Sequence, residues 1–147
     1  MTRQIQEPYR EIAAAILIGA DGLLFFQQRD DIPGLLYAGM VGLFGGHREG
    51  DESSLQCVRR EVLEETGITL APSQFAPLVA FSVAYPAGGG VKGDFYVVRD
   101  FPIASAVVTE GTGLVIAPSD LPALLARMTP STCYAARLFM ELVRPAR

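Results

Sequence analysis

The chain has 147 residues, of which 50% are hydrophobic and 19% are charged, and its formal net charge is −4. This length and composition predict a single folded domain over residues 1–147 and exclude an intrinsically disordered chain. The negative charge argues against a nucleic-acid polymer as partner, although a small phosphate-bearing ligand can bind where a divalent cation supplies positive charge.

Nothing in the sequence is typical of secretion or membrane insertion. Residues 12–20 are apolar, but nine residues are far fewer than the ~20 that span a bilayer. Residues 1–11 lack the apolar stretch of a signal peptide. Cys57 and Cys133 lie far apart and form no metal-binding or redox motif, as expected of reduced cysteines. We therefore expect a cytoplasmic protein without a membrane partner.

The first third of the chain predicts a hairpin, a loop and a short strand. Apolar runs at residues 12–19 and 23–28 flank an Asp-Gly pair, which is typical of a β-hairpin. Residues 30–39 contain one Pro and two Gly, so they predict a loop. Residues 41–44 predict a short strand that leads into Gly45-Gly46.

Residues 52–66 predict a helix. Neither Gly nor Pro interrupts them, and Leu55, Val58 and Val62 recur at helical spacing. Gly67 follows at the position expected of a helix C-cap. The apolar residues share one face, so this helix should bury that face and leave the charged side chains on the other.

The rest of the chain predicts more strands and two helices. The predicted strands are residues 75–85, 94–100, 107–108 and 114–117, with a Gly-rich turn at residues 86–93. The predicted helices are residues 119–128, capped by Ser119, and residues 131–143, capped by Ser131 or Thr132 and ending before Pro145. This order of elements predicts an α/β fold, a mixed β-sheet with helices on its faces.

The most specific pattern is a charged run between Gly46 and Ile68. Its fixed points are Gly46, Glu52, Arg60, Glu61, Glu64, Glu65 and Gly67. At a frequency of roughly 7% per position, seven such matches arise by chance in about one window in 10⁸. Three carboxylates within five consecutive residues repel one another, so a helix that carries them needs a compensating cation.

The predicted helix places these carboxylates together. Glu61 and Glu65 lie one turn apart, and Glu64 lies on the adjoining edge. Oxygen ligands grouped in this way suit Mg²⁺ or Mn²⁺. The alternative is a solvated acidic helix in which Arg60 and Glu64 form an i,i+4 pair. The paired glycines before the helix favour the metal site, because a backbone without Cβ atoms can approach a ligand closely.

This run resembles, position for position, the signature box of the Nudix hydrolases: Gly, five residues, Glu, seven residues, then Arg-Glu-aliphatic-x-Glu-Glu-x-Gly-aliphatic. The resemblance implies an α/β/α sandwich and a metal-dependent hydrolase, with Mg²⁺ or Mn²⁺, that cleaves a diphosphate linkage in a nucleoside diphosphate derivative. A nucleoside triphosphate, intact or oxidised, is the favoured small-molecule substrate. A nucleotide sugar or ADP-ribose is the alternative, as is a catalytically inactive ligand-binding protein of the same fold. A homodimer is common in the family.

The resemblance also implies roles within the run. The expected metal ligands are the carbonyl of Gly46 and the carboxylates of Glu61, Glu64 and Glu65. The expected catalytic residues are Arg60, Glu61 and Glu64. Glu61 is favoured as the base because Arg60 precedes it as an orienting cation. Glu52 is a further candidate base or ligand, although its charge also suits the helix start.

Residues outside the helix complete the expected site. Some relatives supply another glutamate after the box as base or ligand; Glu110 is the candidate here, and Asp94 is a weaker one. The expected substrate contacts are Arg29, Tyr37, Gly45 and Tyr85. For Arg29 the alternative is a surface ion pair with Asp30 or Asp31. His47 is expected either to contact phosphate or to be a solvated loop residue.

Overall fold

A computed structural model of the protein describes residues 9–143. A mixed sheet lies between helices on its two faces, so the predicted α/β/α sandwich is confirmed. The strands in this part of the chain are β1 (Tyr9–Ile18), β2 (Leu24–Gln28), β3 (Val41–Gly42), β4 (Phe44–His47), β5 (Phe75–Ala84), β6 (Gly90–Val98) and β7 (Thr112–Ile116). The helices are α1 (Ser54–Thr66), α2 (Leu121–Leu124) and α3 (Pro130–Leu142).

Strand β1 is the centre of the sheet. It pairs in parallel with β6 over its length and antiparallel with β4 and, at its end, with β2. Strand β5 extends the sheet beyond β6, and β7 pairs with β2. Both faces of β1 are buried from Ala13 to Ile18, which explains why this part of the strand is a continuous apolar run and does not alternate.

The alternate residues of β1 divide the core into two layers. Ala13, Ala15 and Leu17 pack with the buried face of α1, which includes Val58 and Val62. Ala14, Ile16 and Ile18 pack with α3 on the other side; its buried residues there are Ala135, Ala136 and Phe139. Helix α1 also packs on β4, so the layer beneath it carries the two glycines of the charged run.

The predicted hairpin is confirmed, and the predicted strand at residues 41–44 is two strands. Strand β3 pairs with β2, whereas β4 pairs with β1. The break falls at Leu43, whose N–H turns away to the Thr132 hydroxyl at 3.2 Å. The chain therefore changes its pairing partner immediately before Gly45 and Gly46.

The predicted box helix is confirmed, but it begins at Ser54 and not at Glu52. Ser53 is the N-cap: its hydroxyl accepts the Gln56 N–H, and the Gln56 side chain accepts the Ser53 N–H. Gly67 adopts a φ of 76° at the C-cap and donates to the Leu63 carbonyl. Glu52 therefore lies outside the helix, where its carboxylate is free to accept other donors.

One predicted strand in the later part of the chain is absent, and another begins earlier than predicted. Residues 107–108 form no strand, because the Val107 N–H bonds the Thr66 carbonyl at the end of α1. Strand β6 begins at Gly90, before the predicted start at residue 94, so the turn is shorter than expected. Gly93 pairs with Ile12 of β1 within this strand, and a Cβ there would collide with the Ile12 carbonyl, so the position requires glycine.

The predicted helices at the C-terminal end are shifted or broken. The segment at residues 119–128 holds only the single turn α2 between 3₁₀ turns, and within residues 9–143 the Ser119 side chain makes no cap bond. Helix α3 is capped by Thr129 because its hydroxyl accepts the Thr132 N–H and Pro130 occupies the first helical position. Helix α3 ends at Leu142 with Val143 as its C-cap, within one residue of the predicted end at 143. Pro145, like part of the segment in the signal-peptide prediction, lies outside the described residues. Among residues 9–143 no helix has the length and apolar character needed to cross a bilayer.

Replacing Val58 by Ala tests the packing of α1. Val58 is fully buried, so removing two methyl groups should cost about 2 kcal/mol of unfolding free energy. The control Leu63→Ala truncates a side chain on the same helix that is 43% exposed, and it should cost under about 0.5 kcal/mol. Urea unfolding measures both. Equal losses would contradict the assigned burial of the two helix faces.

Candidate active site

Helix α1 and strand β4 bring the central residues of the site together. The Gly45 N–H donates to Glu65 Oε1 at 3.0 Å, so the strand backbone fixes the carboxylate. Gly45 has a φ of 155°, and a Cβ at this position would collide with Ala13 and Ala14 of β1. Only glycine permits this close approach of β4 to β1.

Glu65 is a buried carboxylate beside like charges. It is 5% exposed, and burial raises its pKa to about 8, with further increases from the neighbouring Glu61 and Glu110 carboxylates. The Gly45 N–H acts in the opposite direction. Glu61 lies one helical turn before Glu65 on α1, so its carboxyl group is beside that of Glu65. Two carboxyl groups side by side are stable when they share a proton or a cation.

Glu61 occupies space that exists because residue 46 is glycine. A Cβ on Gly46 would lie 2.6–2.7 Å from the Glu61 carboxyl atoms. The Gly46 carbonyl, predicted as a metal ligand, accepts a weak hydrogen bond from Cys57 Sγ at 3.6 Å. Burial raises the pKa of the Cys57 thiol to about 12, so the thiol keeps its proton. Because a carbonyl oxygen has two lone pairs, it can accept the thiol hydrogen bond and still bind a metal ion.

Arg60 is the compensating cation that the charge pattern requires. Its guanidinium donates to both Glu52 oxygens at 2.7 and 3.0 Å, to Glu61 at 2.9 Å and to Glu64 at 3.2 Å, and it also binds the His47 carbonyl. The Arg60 bonds and the Glu49 N–H lower the pKa of Glu52 to about 2. Glu52 therefore anchors Arg60, and Glu64, which is 59% exposed, lies at the outer edge of the group.

Glu110 reaches the site because the preceding segment is attached to the end of α1. The Val107 N–H bonds the Thr66 carbonyl, the Thr109 N–H bonds the Glu65 carbonyl, and the Thr109 hydroxyl bonds the Glu64 carbonyl, at 2.9–3.1 Å. Residues 107–109 thus satisfy carbonyl groups that a helix end leaves free. This attachment brings the charge of Glu110 next to Glu65 across 45 residues of sequence.

Gln27 also belongs to the site, although no sequence pattern pointed to it. Its Nε2 donates to Glu65 Oε2 at 3.3 Å and to the Glu110 carbonyl at 2.9 Å. The residue is only 6% exposed and lies at the end of an apolar strand. A polar residue at a buried strand position is a signal in retrospect, since a buried amide needs hydrogen-bond partners.

The remaining predicted residues lie apart from the carboxylates. Arg29 makes no ion pair with Asp30 or Asp31 within the described chain; it donates to the Leu36 carbonyl and so holds the loop after β2. Tyr37 lies in that loop with a φ of 55° and is 44% exposed. Tyr85 follows β5 at the turn into β6, and the His47 side chain is exposed. These placements leave Tyr37 available for a ligand but show no contact with Glu65.

Asp94 lies on β6 opposite Ala13 and makes no hydrogen bond to the α1 carboxylates among the described residues. Its side chain lines a pocket of about 270 Å³ with Glu11, Arg48 and Lys92. Glu11 pairs with both cations, at 2.6 Å to Arg48 and 3.1 Å to Lys92. Asp94 is therefore grouped with this surface cluster, whereas Glu110 is grouped with Glu65.

The donor set fits a hard divalent cation that keeps part of its hydration shell. Within residues 9–143 no three His, Cys, Asp or Glu side chains are arranged as a ready-made ligand cluster. Mg²⁺ does not require one, because it binds through one or two carboxylates and retains water or substrate oxygens. Glu61 and Glu65 supply two carboxylates one helical turn apart, both beside the backbone of Gly45 and Gly46.

Comparison with known proteins gives one consistent result. The NUDIX domain family matches residues 8–107. The structure resembles the MutT protein from Methanosarcina mazei Go1, with a TM-score of 0.76, 19% identity, and coverage of 96% of this chain and 100% of that one. It also resembles the MutT NUDIX hydrolase from Burkholderia pseudomallei, with a TM-score of 0.71, 26% identity, and coverage of 90% and 98%.

A third similar structure belongs to a larger protein. It is a bifunctional NMN adenylyltransferase/ADP-ribose pyrophosphatase from Francisella tularensis, complexed with AMP and a manganese ion. The TM-score is 0.65 at 21% identity, and the match covers 95% of this chain but 43% of that one. No curated protein matches this chain significantly.

The role of Arg60 can be tested by titrating Glu52. In Arg60→Gln the pKa of Glu52 should rise from about 2 towards its ordinary value of 4.5. Since that pKa is lowered by folding, the stability it contributes is present above pH 4.5 and is lost as the pH falls towards 2. The stability difference between wild type and Arg60→Gln should therefore shrink over the same range.

Carboxyl-carbon NMR and urea unfolding measure the two effects. Arg59→Gln is the matched control, because Arg59 donates to the Leu70 carbonyl and to no carboxylate in the part of the chain that the structure describes. A wild-type Glu52 that titrates near 4.5, or a control that shifts as far as Arg60→Gln, would contradict the assignment.

Proposed function

The chain belongs to the Nudix hydrolase family, and from that premise we propose that it hydrolyses a diphosphate linkage in a nucleoside diphosphate derivative with a bound divalent cation. The observation that carries the proposal is that β4 holds both carboxyl groups beside its two glycines: the Gly45 N–H binds Glu65 Oε1 at 3.0 Å, and Glu61 fills the space where a Gly46 side chain would lie. Their mutual repulsion, reinforced by Glu110, favours the entry of a cation.

Glu61 and Glu65 would hold the cation, with Glu64 and the Gly46 carbonyl as further ligands. A bound Mg²⁺ or Mn²⁺ would neutralise the phosphate oxygens and lower the pKa of the attacking water. Arg60 holds one oxygen of Glu61, and the Gly45 N–H holds one oxygen of Glu65. Both carboxylates are thus oriented by the protein before any ligand binds, which reduces the reorganisation that catalysis requires.

The general base is a choice between Glu61 and Glu110. Both oxygens of Glu65 accept protein donors, from Gly45 and from Gln27, so Glu65 is better suited to a fixed ligand than to a base. Glu61 keeps one oxygen without a donor among the described residues, which favours it as base or base-assisting ligand. Glu110 lies close enough to Glu65 to affect its pKa and is the alternative.

We favour a nucleoside triphosphate, intact or oxidised, as the substrate class. The likeness to MutT proteins over nearly the whole of both chains supports this choice. The loop after β2 offers Tyr37 as an exposed aromatic surface for a base, and Arg29 holds the loop backbone in place. ADP-ribose or a nucleotide sugar is the second candidate, supported by the similar structure that combines an ADP-ribose pyrophosphatase with AMP and manganese.

The reaction is tested with a substrate panel and a ligand variant. With Mg²⁺ or Mn²⁺, purified protein should release phosphate products from triphosphates faster than from nucleotide sugars, ADP-ribose or dinucleotides. Glu65→Gln should lower turnover at least about 10²-fold, because it removes a charged ligand. Glu141→Gln, on the exposed part of α3, is the control and should retain activity. Absence of turnover on the whole panel would favour an inactive binding protein.

The two base assignments are separated by comparing Glu61→Gln with Glu110→Gln. If Glu61 is base and ligand, Glu61→Gln should lower both kcat and Mn²⁺ affinity, while Glu110→Gln should lower kcat by less than about tenfold. Turnover kinetics and isothermal titration with Mn²⁺ give the two quantities. A fall of several orders of magnitude in kcat for Glu110→Gln, with Mn²⁺ affinity retained, would move the base to Glu110.

A further inference from the structure

Gln27 connects the two parts of the site that come from distant segments. Its amide nitrogen donates to Glu65 Oε2 on α1 and to the Glu110 carbonyl before β7. The Glu110 carbonyl can only accept, so the amide group facing it must be the NH₂ group. The orientation of this side chain is therefore fixed by chemistry and needs no assumption about the protonation of Glu65.

We propose that Gln27 is a positioning residue of the cation site, which holds Glu65 and the Glu110 segment at a fixed separation. This inference rests on the proposed function. Without Gln27, Glu65 would keep the Gly45 N–H on one oxygen, but its other oxygen would be free to turn. The Glu110 segment would keep its bonds to the end of α1 through Thr109 but lose its tie to β2.

A carboxamide is the side chain that suits this position. Its NH₂ group supplies two donors without charge, whereas Glu would add a negative charge beside Glu61, Glu65 and Glu110. A hydrocarbon side chain would leave Glu65 Oε2 and the Glu110 carbonyl without a donor, at a cost of roughly 1–3 kcal/mol for each group that stays buried. The residue paired with Gln27 on β3 is Gly42, which leaves space around the amide.

The neighbouring glutamine on β2 has similar chemistry but a different position. Gln28 donates to the Gly39 carbonyl at 2.6 Å and accepts from Arg127 at 2.9 Å. It makes no hydrogen bond to Glu65 or Glu110 among the described residues. Gln28 therefore provides a matched control on the same strand, one residue away and with two partners of its own.

The test measures Mn²⁺ binding to the full chain without substrate, by isothermal titration and by electron paramagnetic resonance of free Mn²⁺. Gln27→Leu should weaken Mn²⁺ binding by about tenfold or more, as loss of a hydrogen bond to a ligand typically does. Gln27→Asn, whose shorter amide cannot reach both partners, should weaken it to an intermediate degree. Gln28→Leu should stay within about twofold of wild type, because its partners lie outside the site.

Urea unfolding without metal separates the positioning role of Gln27 from a purely structural one. If Gln27→Leu does not fold, the Mn²⁺ affinity of Gln27→Asn provides the test. If the role of Gln27 were purely structural, replacing it would lower the free energy of unfolding and leave Mn²⁺ affinity unchanged. If both Gln27 variants bind Mn²⁺ as tightly as wild type, the inference is overturned and the proposed function is unaffected. The same holds if Gln28→Leu loses as much Mn²⁺ affinity as Gln27→Leu. A wild-type chain that binds no Mn²⁺ would instead overturn the proposed function, and the inference with it.

Discussion

The rest of the site depends on one electrostatic constraint, a buried carboxylate held beside two others. Glu65 is surrounded by the core layer under α1, and Glu61 and Glu110 add like charges at its side. Such a group is stable only with donors, a proton or a cation near it. The Gly45 N–H and the Gln27 amide supply the donors, and both are neutral. Among the described residues, no cationic side chain forms a hydrogen bond or ion pair with Glu65 itself.

The outer carboxylates, unlike Glu65, are paired with a cationic side chain. Glu52 and Glu64 share the charge of Arg60, which also reaches Glu61. Glu61 therefore lies at the boundary between the group that Arg60 binds and Glu65. Arg60 makes no hydrogen bond or ion pair with Glu65 in the described structure, so the guanidinium does not compete with a cation for that ligand. This division of charge explains how one helix can carry several carboxylates and still offer two of them to a ligand.

The sequence was sufficient for the body of α1 and for the hairpin, which depend on local patterns. The 3.6-residue period and Gly67 specified α1 because a helix needs only its own face and its caps, and Asp21-Gly22 specified the hairpin in the same way. The attachment of the Glu110 segment to α1 could not be predicted from the sequence. Residues 107–108 have the composition of a strand, but the Val107 N–H bonds the Thr66 carbonyl at the end of α1. Gln27 was not predicted for the same reason, because no local pattern shows which of two adjacent glutamines faces a carboxylate. Long-range hydrogen bonds leave no periodic signal in the chain.

The central strand links the fold to the site through backbone spacing. Ala13 and Ala14 of β1 lie opposite Gly46 and Gly45 of β4. Any side chain on Gly45 would collide with them, and any side chain on Gly46 would enter the space of the Glu61 carboxyl. The small residues on β1 let α1 approach the sheet, and the glycines on β4 let its carboxylates approach the backbone. Helix geometry sets Glu61 and Glu65 one turn apart, and the packing that buries Val58 and Val62 holds both beside these glycines, so core packing works against charge repulsion. A cation between the two carboxylates would relieve that opposition without any change in the fold.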